Sequence, residues 1–346
     1  MIFQVLKFFF FTISIFFSFS LSAISQPIIS MSFPPVKNQT EIDFTLKQLD
    51  MLNVSHIRIA ENWKNREPEQ GNFNWQPLEN RIRILREGGM DILLTIQSDG
   101  PDWACAISNS KSCIFNDWNE FEPYMKELLE RIGPMLNAIQ FGNEWDNQFV
   151  GSAQQFLSFQ NLFYDLVKKY RPDLNVVLGG ITTRPLIYEA MCLGNVRINQ
   201  DKYRLQSQID LNQFIQTDVC TRQRQSYASD LADVKNLLSN ASYDIADIHL
   251  YDTPDLWPRF ISSFKTMTDK PVYVTEFGGP NPDYELRDPI YQASRLATYL
   301  RTISQLPVER AYYFKLTDGG DAYHDLSGLF DDRGTPKPAL EIFKNR

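Results

Sequence analysis

Eight short apolar runs recur along this chain. They fall at PIISMSF (27–33), SHIRIAE (55–61), DILLTIQ (91–97), NAIQFGN (137–143), NVVLGG (175–180), IADIHLY (245–251), PVYVTEF (271–277) and RAYYFKL (310–316). Between them lie segments of helical period, such as EIDFTLKQLDML, LENRIRILREGG, EPYMKELLERIG and SFQNLFYDLVKKY. Gly88-Gly89, Gly133-Pro134 and Pro172 mark their clearest ends. Strands that alternate with helices make a parallel sheet, and eight such strands close a barrel. The expected fold is therefore α/β, a single-domain (β/α)8 TIM barrel over residues 26–346. An open doubly wound sheet ranks second, because no Gly-x-Gly-x-x-Gly follows the first strand. One long segment, 182–230, separates the fifth strand from its helix. It reads as an active-site loop braced by a disulfide.

Residues 1–25 stand apart. A single Lys7 precedes a Phe-rich run, and Ala23 and Ser25 offer a cleavage site before Gln26. The run is shorter than the ~20 residues of a spanning helix once its Ser and Thr are discounted. A cleaved signal peptide is expected, and with it a secreted or periplasmic protein without stable membrane insertion. A formal net charge of −8 with no basic cluster argues against nucleic acid as a partner. The four cysteines form two sequence-local pairs, 105–113 and 192–220, the natural disulfides of a secreted chain. With no Cys-x-x-Cys and with His56, His249 and His324 scattered, neither a metal nor another cofactor is expected. Nothing calls for a partner chain, and a monomer is expected.

In a barrel of this kind the chemistry gathers at the carboxyl ends of the strands. There the apolar runs turn polar: Arg58 on the second strand, Asn143-Glu144 ending the fourth, His249 and Tyr251 on the sixth, Glu276 on the seventh. Glycosidic cleavage needs two carboxyl groups, one protonated for the departing oxygen and one ionised to attack or to activate water. Glu144 and Glu276 sit on nearly opposite strands, so they can face each other across the mouth. Arg58 and Tyr251 are expected to hold Glu276 ionised. Apolar Phe141 and Trp145 are expected to let Glu144 keep its proton longer.

GNEWD closing strand four and VTEFG closing strand seven carry a resemblance, supported by IRIAENWKNREPEQGNFNW, IHLYD and GLFDDRGTPKPAL. Over nearly all of residues 26–346 the chain resembles the clan A glycoside hydrolases, the retaining (β/α)8 group of cellulases, mannanases and β-xylosidases. The resemblance implies that Glu144 is the acid/base and Glu276 the nucleophile. It implies that Asn143 binds a sugar 2-hydroxyl, Arg58 and Tyr251 position Glu276, and His249 lines the site. The family usually ends strand eight in Trp as a floor for the reacting sugar; here Phe314 stands there.

Trp63, Trp103, Trp145 and Trp257 follow strands two, three, four and six, where an indole can stack on a sugar face or simply pack under a loop. Trp145, beside Glu144, is the foremost platform candidate, and Trp75 is assigned to packing. Asn38, Asn53 and Asn240 begin glycosylation sequons, which only a eukaryotic pathway would use. The expected function is a secreted retaining hydrolase of a β-linked carbohydrate. The alternative is a catalytically idle barrel that binds carbohydrate.

Overall fold

The computed structural model describes residues 26–207, 209–251, 253–320 and 323–346. The expected signal peptide, 1–25, lies outside the described residues. Eight parallel strands form one sheet: β1 (Ile28–Ser32), β2 (His56–Glu61), β3 (Asp91–Ile96), β4 (Ala138–Phe141), β5 (Asn175–Val177), β6 (Ala246–Leu250), β7 (Val272–Phe277) and β8 (Arg310–Tyr313). Neighbours in the chain are neighbours in the sheet, and β8 returns to pair with β1, Ile28 opposite Arg310. Between β5 and β6 the ladder thins to a few bonds. Leu178 N donates to Ile245 O (2.9 Å) and His249 N to Ile181 O (2.8 Å). The predicted TIM barrel is what the chain forms.

The barrel interior is stacked in layers, as inward residues two apart along each strand require. The lower layer is apolar: Leu93, Ala138, Val177, Ile245, Tyr273 and Tyr312, all buried. One step up, the same strands turn polar, with Thr95, Gln140, Asp247 and Thr275 joined by Arg58 from β2, each 0 % exposed. These groups satisfy one another. Gln140 Nε2 donates to Asp247 Oδ2 (2.7 Å), Thr95 Oγ1 to Gln140 Oε1 (2.9 Å) and Thr275 Oγ1 to Asp247 Oδ2 (2.6 Å). A buried polar layer is tolerated only when paired in this way. It forms the floor on which the site above is built.

Outside the strands, amphipathic helices close the second core. The helix Ala153–Tyr170 opens on a reciprocal Ser152/Gln155 cap and buries Phe156, Phe159, Phe163, Leu166 and Val167. Among the described residues no helix is long and apolar enough to cross a membrane.

Both expected disulfides form, Cys105–Cys113 and Cys192–Cys220. The first closes a hairpin of Cys105–Ser108 and Cys113–Phe115 in the loop after β3. The second lies in the long segment 182–230, which is not the irregular active-site loop that its composition suggested. It carries the helix Arg184–Ile187, wider turns at Tyr188–Leu193 and Gln216–Arg222, and the helix Leu211–Ile215. Its middle reaches past β6 to the loop after β7, where Leu286 N donates to Arg204 O (2.8 Å) and Gln206 N to Tyr284 O (2.9 Å). Of its described residues, Thr182, Thr183 and Arg184 face the mouth of the barrel.

Candidate active site

β4 ends in an abrupt turn. Gly142 has φ +75°, and a Cβ there would crowd the Phe156 ring at 3.0 Å. Glu144 itself sits in the left-handed region, φ 46° and ψ 55°, which costs a non-glycine residue about 1–2 kcal/mol. Its carbonyl accepts from both Asn147 N and Gln148 N (2.8 Å each), and this local ring of bonds holds the strained residue in place. The turn throws the Glu144 carboxylate into the mouth. Gln148 Nε2 donates to its Oε2 (2.9 Å), and His249 Nδ1 lies 3.0 Å from its Oε1.

Glu276, at the end of β7, is met by two donors. Arg58 Nη1 donates to Oε1 and the Tyr251 hydroxyl to Oε2, each at 2.6 Å. Arg58 is fully buried and its other two nitrogens are engaged as well: Nε by Thr95 Oγ1 and Gln140 Oε1 (3.0 Å each), Nη2 by Asn143 Oδ1 (2.7 Å). One guanidinium therefore fixes the polar layer, the amide beside Glu144, and Glu276 itself. A lysine could not make this fork.

His249 stands between the carboxylates, its Nδ1 also 3.6 Å from Glu276 Oε2. Its Nε2 is 3.1 Å from Thr275 Oγ1, whose own proton goes to Asp247. Thr275 can then only accept from Nε2, so Nε2 carries a hydrogen and Nδ1 faces Glu144 either protonated or as an acceptor. The glycine at 180 makes room for this ring, since a Cβ there would collide with His249 Nε2. Burial presses the His249 pKa down, but the charges of Glu276 and Glu144 outweigh it, and the net shift is upward from 6.5. Burial likewise pushes Glu144 up, yet the hydrogen bond and charge of His249 bring it down to about 2. This corrects the expectation that Glu144 keeps its own proton under the influence of Phe141 and Trp145. Those two rings pack behind the strand, and the neighbour that decides is an imidazole 105 residues away.

Trp145 is not a platform at the mouth. It is 6 % exposed and stacks on Phe156 (centroids 5.4 Å, 17°), because the left-handed turn at Glu144 sends the following side chain inward. Trp63 and Trp257 are fully buried, and Trp103 packs edge-on against Trp63. Trp75 packs as expected, against Tyr124. Phe314 lines the mouth, joined by His324, which stacks on Tyr251 at 4.3 Å. The sequence reading missed His324, Gln148 and the Asp247–Thr275 pair. The last was visible in principle, as Asp247 and His249 share one face of a strand with period two.

Around these groups lies a cavity of about 650 Å³, lined by residues at or just beyond the end of every strand, from Phe33 after β1 to Phe314 after β8. Glu144, His249 and Glu276 present ligand atoms within 4.8 Å of one another, a spacing that could in principle hold a cation. The Arg58 guanidinium in direct contact with Glu276 opposes that use.

Behind Glu144, the half-buried Asp146 accepts from Thr182 N (3.1 Å) and Thr182 Oγ1 (2.5 Å), tying β4 to β5. Burial raises its pKa from 3.8 to about 6, against the Thr182 bonds and with help from the Glu144 charge. A raised carboxyl contributes stability below its unfolded pKa and loses it as the pH climbs through the folded value. Asp146→Asn should therefore melt close to the parent at pH 4 and above it at pH 7.5. The gain should be about 2–4 °C for each kcal/mol released, read by calorimetric melts at both pH values. Equal differences at the two pH values would refute this.

The family model described as the glycosyl hydrolase catalytic core matches residues 205–343, a stretch that holds His249, Tyr251, Glu276 and Phe314 but not Glu144. A search of curated proteins returned no match. Among solved structures, an exo-β-1,4-mannosidase from Opitutaceae bacterium strain TAV5 superposes with TM-score 0.64 at 16% identity, covering 92% of this chain and 58% of its own. A monomeric β-xylosidase from Caulobacter crescentus CB15 gives TM-score 0.63 at 14% identity, covering 93% and 67%. A family 39 glycoside hydrolase from the gut symbiont Bacteroides cellulosilyticus WH2 gives 0.58 at 17%, covering 93% and 64%. These likenesses show the (β/α)8 barrel, the fold that the sequence motifs implied. The chain spans less than two thirds of the length of the mannosidase.

Proposed function

We propose that this protein is a secreted retaining glycoside hydrolase acting on a β-linked oligo- or polysaccharide by double displacement. The observation that carries the reading is the convergence of Glu144 and Glu276 on one imidazole, with carboxylate oxygens inside 4.8 Å of each other. A retaining pair works at about 5–5.5 Å, whereas an inverting pair stands about 6.5–9.5 Å apart to admit a water. The fold likeness and the match to a glycosyl hydrolase core support the same reading. Two disulfides suit an oxidising compartment outside the cell.

In the first step Glu276 attacks the anomeric carbon, and the proton shared by Glu144 and His249 passes through Glu144 to the leaving oxygen. Forming the glycosyl ester removes the charge 3.6 Å from His249 Nδ1, worth about 5 kcal/mol at an effective dielectric of about 20. The pair thus loses its hold on the proton at the moment the proton must leave. In the second step Glu144 takes a proton from water as that water cleaves the ester. Asn143, oriented by Arg58, is placed to meet the sugar hydroxyl beside the reacting carbon. Following a hydrolysis by proton NMR before mutarotation tests this directly. The β-anomer should appear first, and initial α-product would overturn the nucleophilic role of Glu276.

A further inference from the structure

The turn that presents Glu144 does not support itself. The helix that follows, Trp145–Gln148, is a single turn. A helix this short is too brief to be stable alone and leaves its last carbonyls without partners. Support comes from the disulfide-closed hairpin after β3. Ser112, 0 % exposed, donates from Oγ to Gln148 O (2.9 Å) and accepts from Val150 N (2.8 Å). One hydroxyl thus spans the chain on both sides of Phe149, using its proton and a lone pair together. Asn109 Nδ2 adds a longer bond to the same Gln148 carbonyl (3.3 Å). Ser112 is in turn fixed from both directions. Its N and that of Lys111 donate to Asn109 Oδ1 (2.8 Å each). The next residue, Cys113, is tied to Cys105 and donates from N to Ser98 O, just past β3 (2.8 Å).

From Gln148 the carboxylate is one bond away. Gln148 Nε2 donates to Glu144 Oε2 (2.9 Å), and His249 Nδ1 lies 3.0 Å from Oε1. The other donor to Oε2, Asn147 Nδ2, reaches it only at 3.4 Å. A carboxyl group held at one oxygen swings about its last bond, whereas one held at both has a fixed plane. We infer that Ser112 is a positioning residue of the proposed hydrolase, which through Gln148 fixes the Glu144 carboxyl and its aim at the departing oxygen. Proton transfer is sensitive to that aim, because donor and acceptor must meet at about 2.6–3.2 Å. Glu276 has its own donors in Arg58 and Tyr251. Loosening the clamp should therefore slow the step that needs a proton and spare the attack.

This inference rests on the hydrolase reading, and the test separates the two. Aryl β-glycosides of glucose, mannose, galactose and xylose first select the preferred sugar. A series on that sugar, from dinitrophenyl to phenyl, then goes to the parent, Ser112→Ala and Gln148→Met. Each variant should lose about 10-fold in kcat/KM with phenol as leaving group, which needs a proton. With dinitrophenol, which needs none, each should stay within about threefold of the parent. A purely structural role would lower both alike. Gln148 is half-buried and Met keeps most of its volume, so the test stands even if Ser112→Ala folds poorly. An equal loss across the series, or parental values throughout, would overturn the inference. So would a loss in Gln148→Met that a well-folded Ser112→Ala does not share. If the parent hydrolyses none of the four sugars, the hydrolase reading fails by itself, and the side-chain amide signals of Gln148 test the clamp. Identified in the nitrogen–proton spectrum by their loss in Gln148→Met, they should shift in both Glu144→Ala and Ser112→Ala. Signals that Ser112→Ala leaves in place would show that Ser112 does not hold Gln148 on Glu144.

Discussion

Glu276→Ala should lose turnover by about 10⁴-fold or more, since it removes the nucleophile of the proposed double displacement. Arg58 and Tyr251 would then face an empty socket, their two 2.6 Å bonds unmade. Azide fits that socket and carries the right charge. With an activated aryl glycoside, added azide should restore measurable turnover and yield a glycosyl azide of inverted configuration. Full activity in the variant, or no azide adduct from a well-folded preparation, would sink the assignment.

The second large effect concerns Glu144, and it should depend on the leaving group. Glu144→Ala removes the proposed path by which the shared proton reaches the substrate. Substrates that need protonation should slow by about 10²–10⁴-fold, the usual span of general acid catalysis. Substrates with good leaving groups should still glycosylate Glu276 and then stall, giving a burst followed by slow turnover. Azide should relieve that stall and give a product of retained configuration. A uniform loss across leaving groups, measured by stopped-flow, would mean that Glu144 serves structure and not proton transfer.

What the sequence disclosed and what it hid divide along one physical line. Features set by period or by chain-local chemistry were legible: the eight strands, the disulfides Cys105–Cys113 and Cys192–Cys220, and the polar residues at strand ends. The structure brings Glu144, Glu276, Arg58, Asn143, His249 and Tyr251 together at one mouth. Features set by a single dihedral or by distant neighbours were not legible. Trp145 looked like a partner of Glu144 because it is next in sequence, but the positive φ at Glu144 turns the two side chains apart. The protonation of Glu144 was read from flanking apolar residues, while the deciding group comes from β6. The long segment 182–230 reads in sequence as an active-site loop braced by a disulfide, and its contacts with the loop after β7 cannot be seen in composition.

The thin joint between β5 and β6 bears on how the molecule breathes. β5 is only three residues long, and the hoop is completed there by Leu178, Ile245, Ile181 and His249, partly outside the regular strands. The ladder between β2 and β3, by contrast, runs unbroken over six residue pairs. Local opening takes the path of fewest bonds. Amide exchange should therefore run faster at Leu178 and His249 than at Ile57 or Leu94, under conditions where the whole chain stays folded. The His249 amide is itself one of those few stitches, and its ring holds Glu144. Each such opening would then loosen the partner of Glu144, while Glu276 keeps its bond to Arg58 from β2.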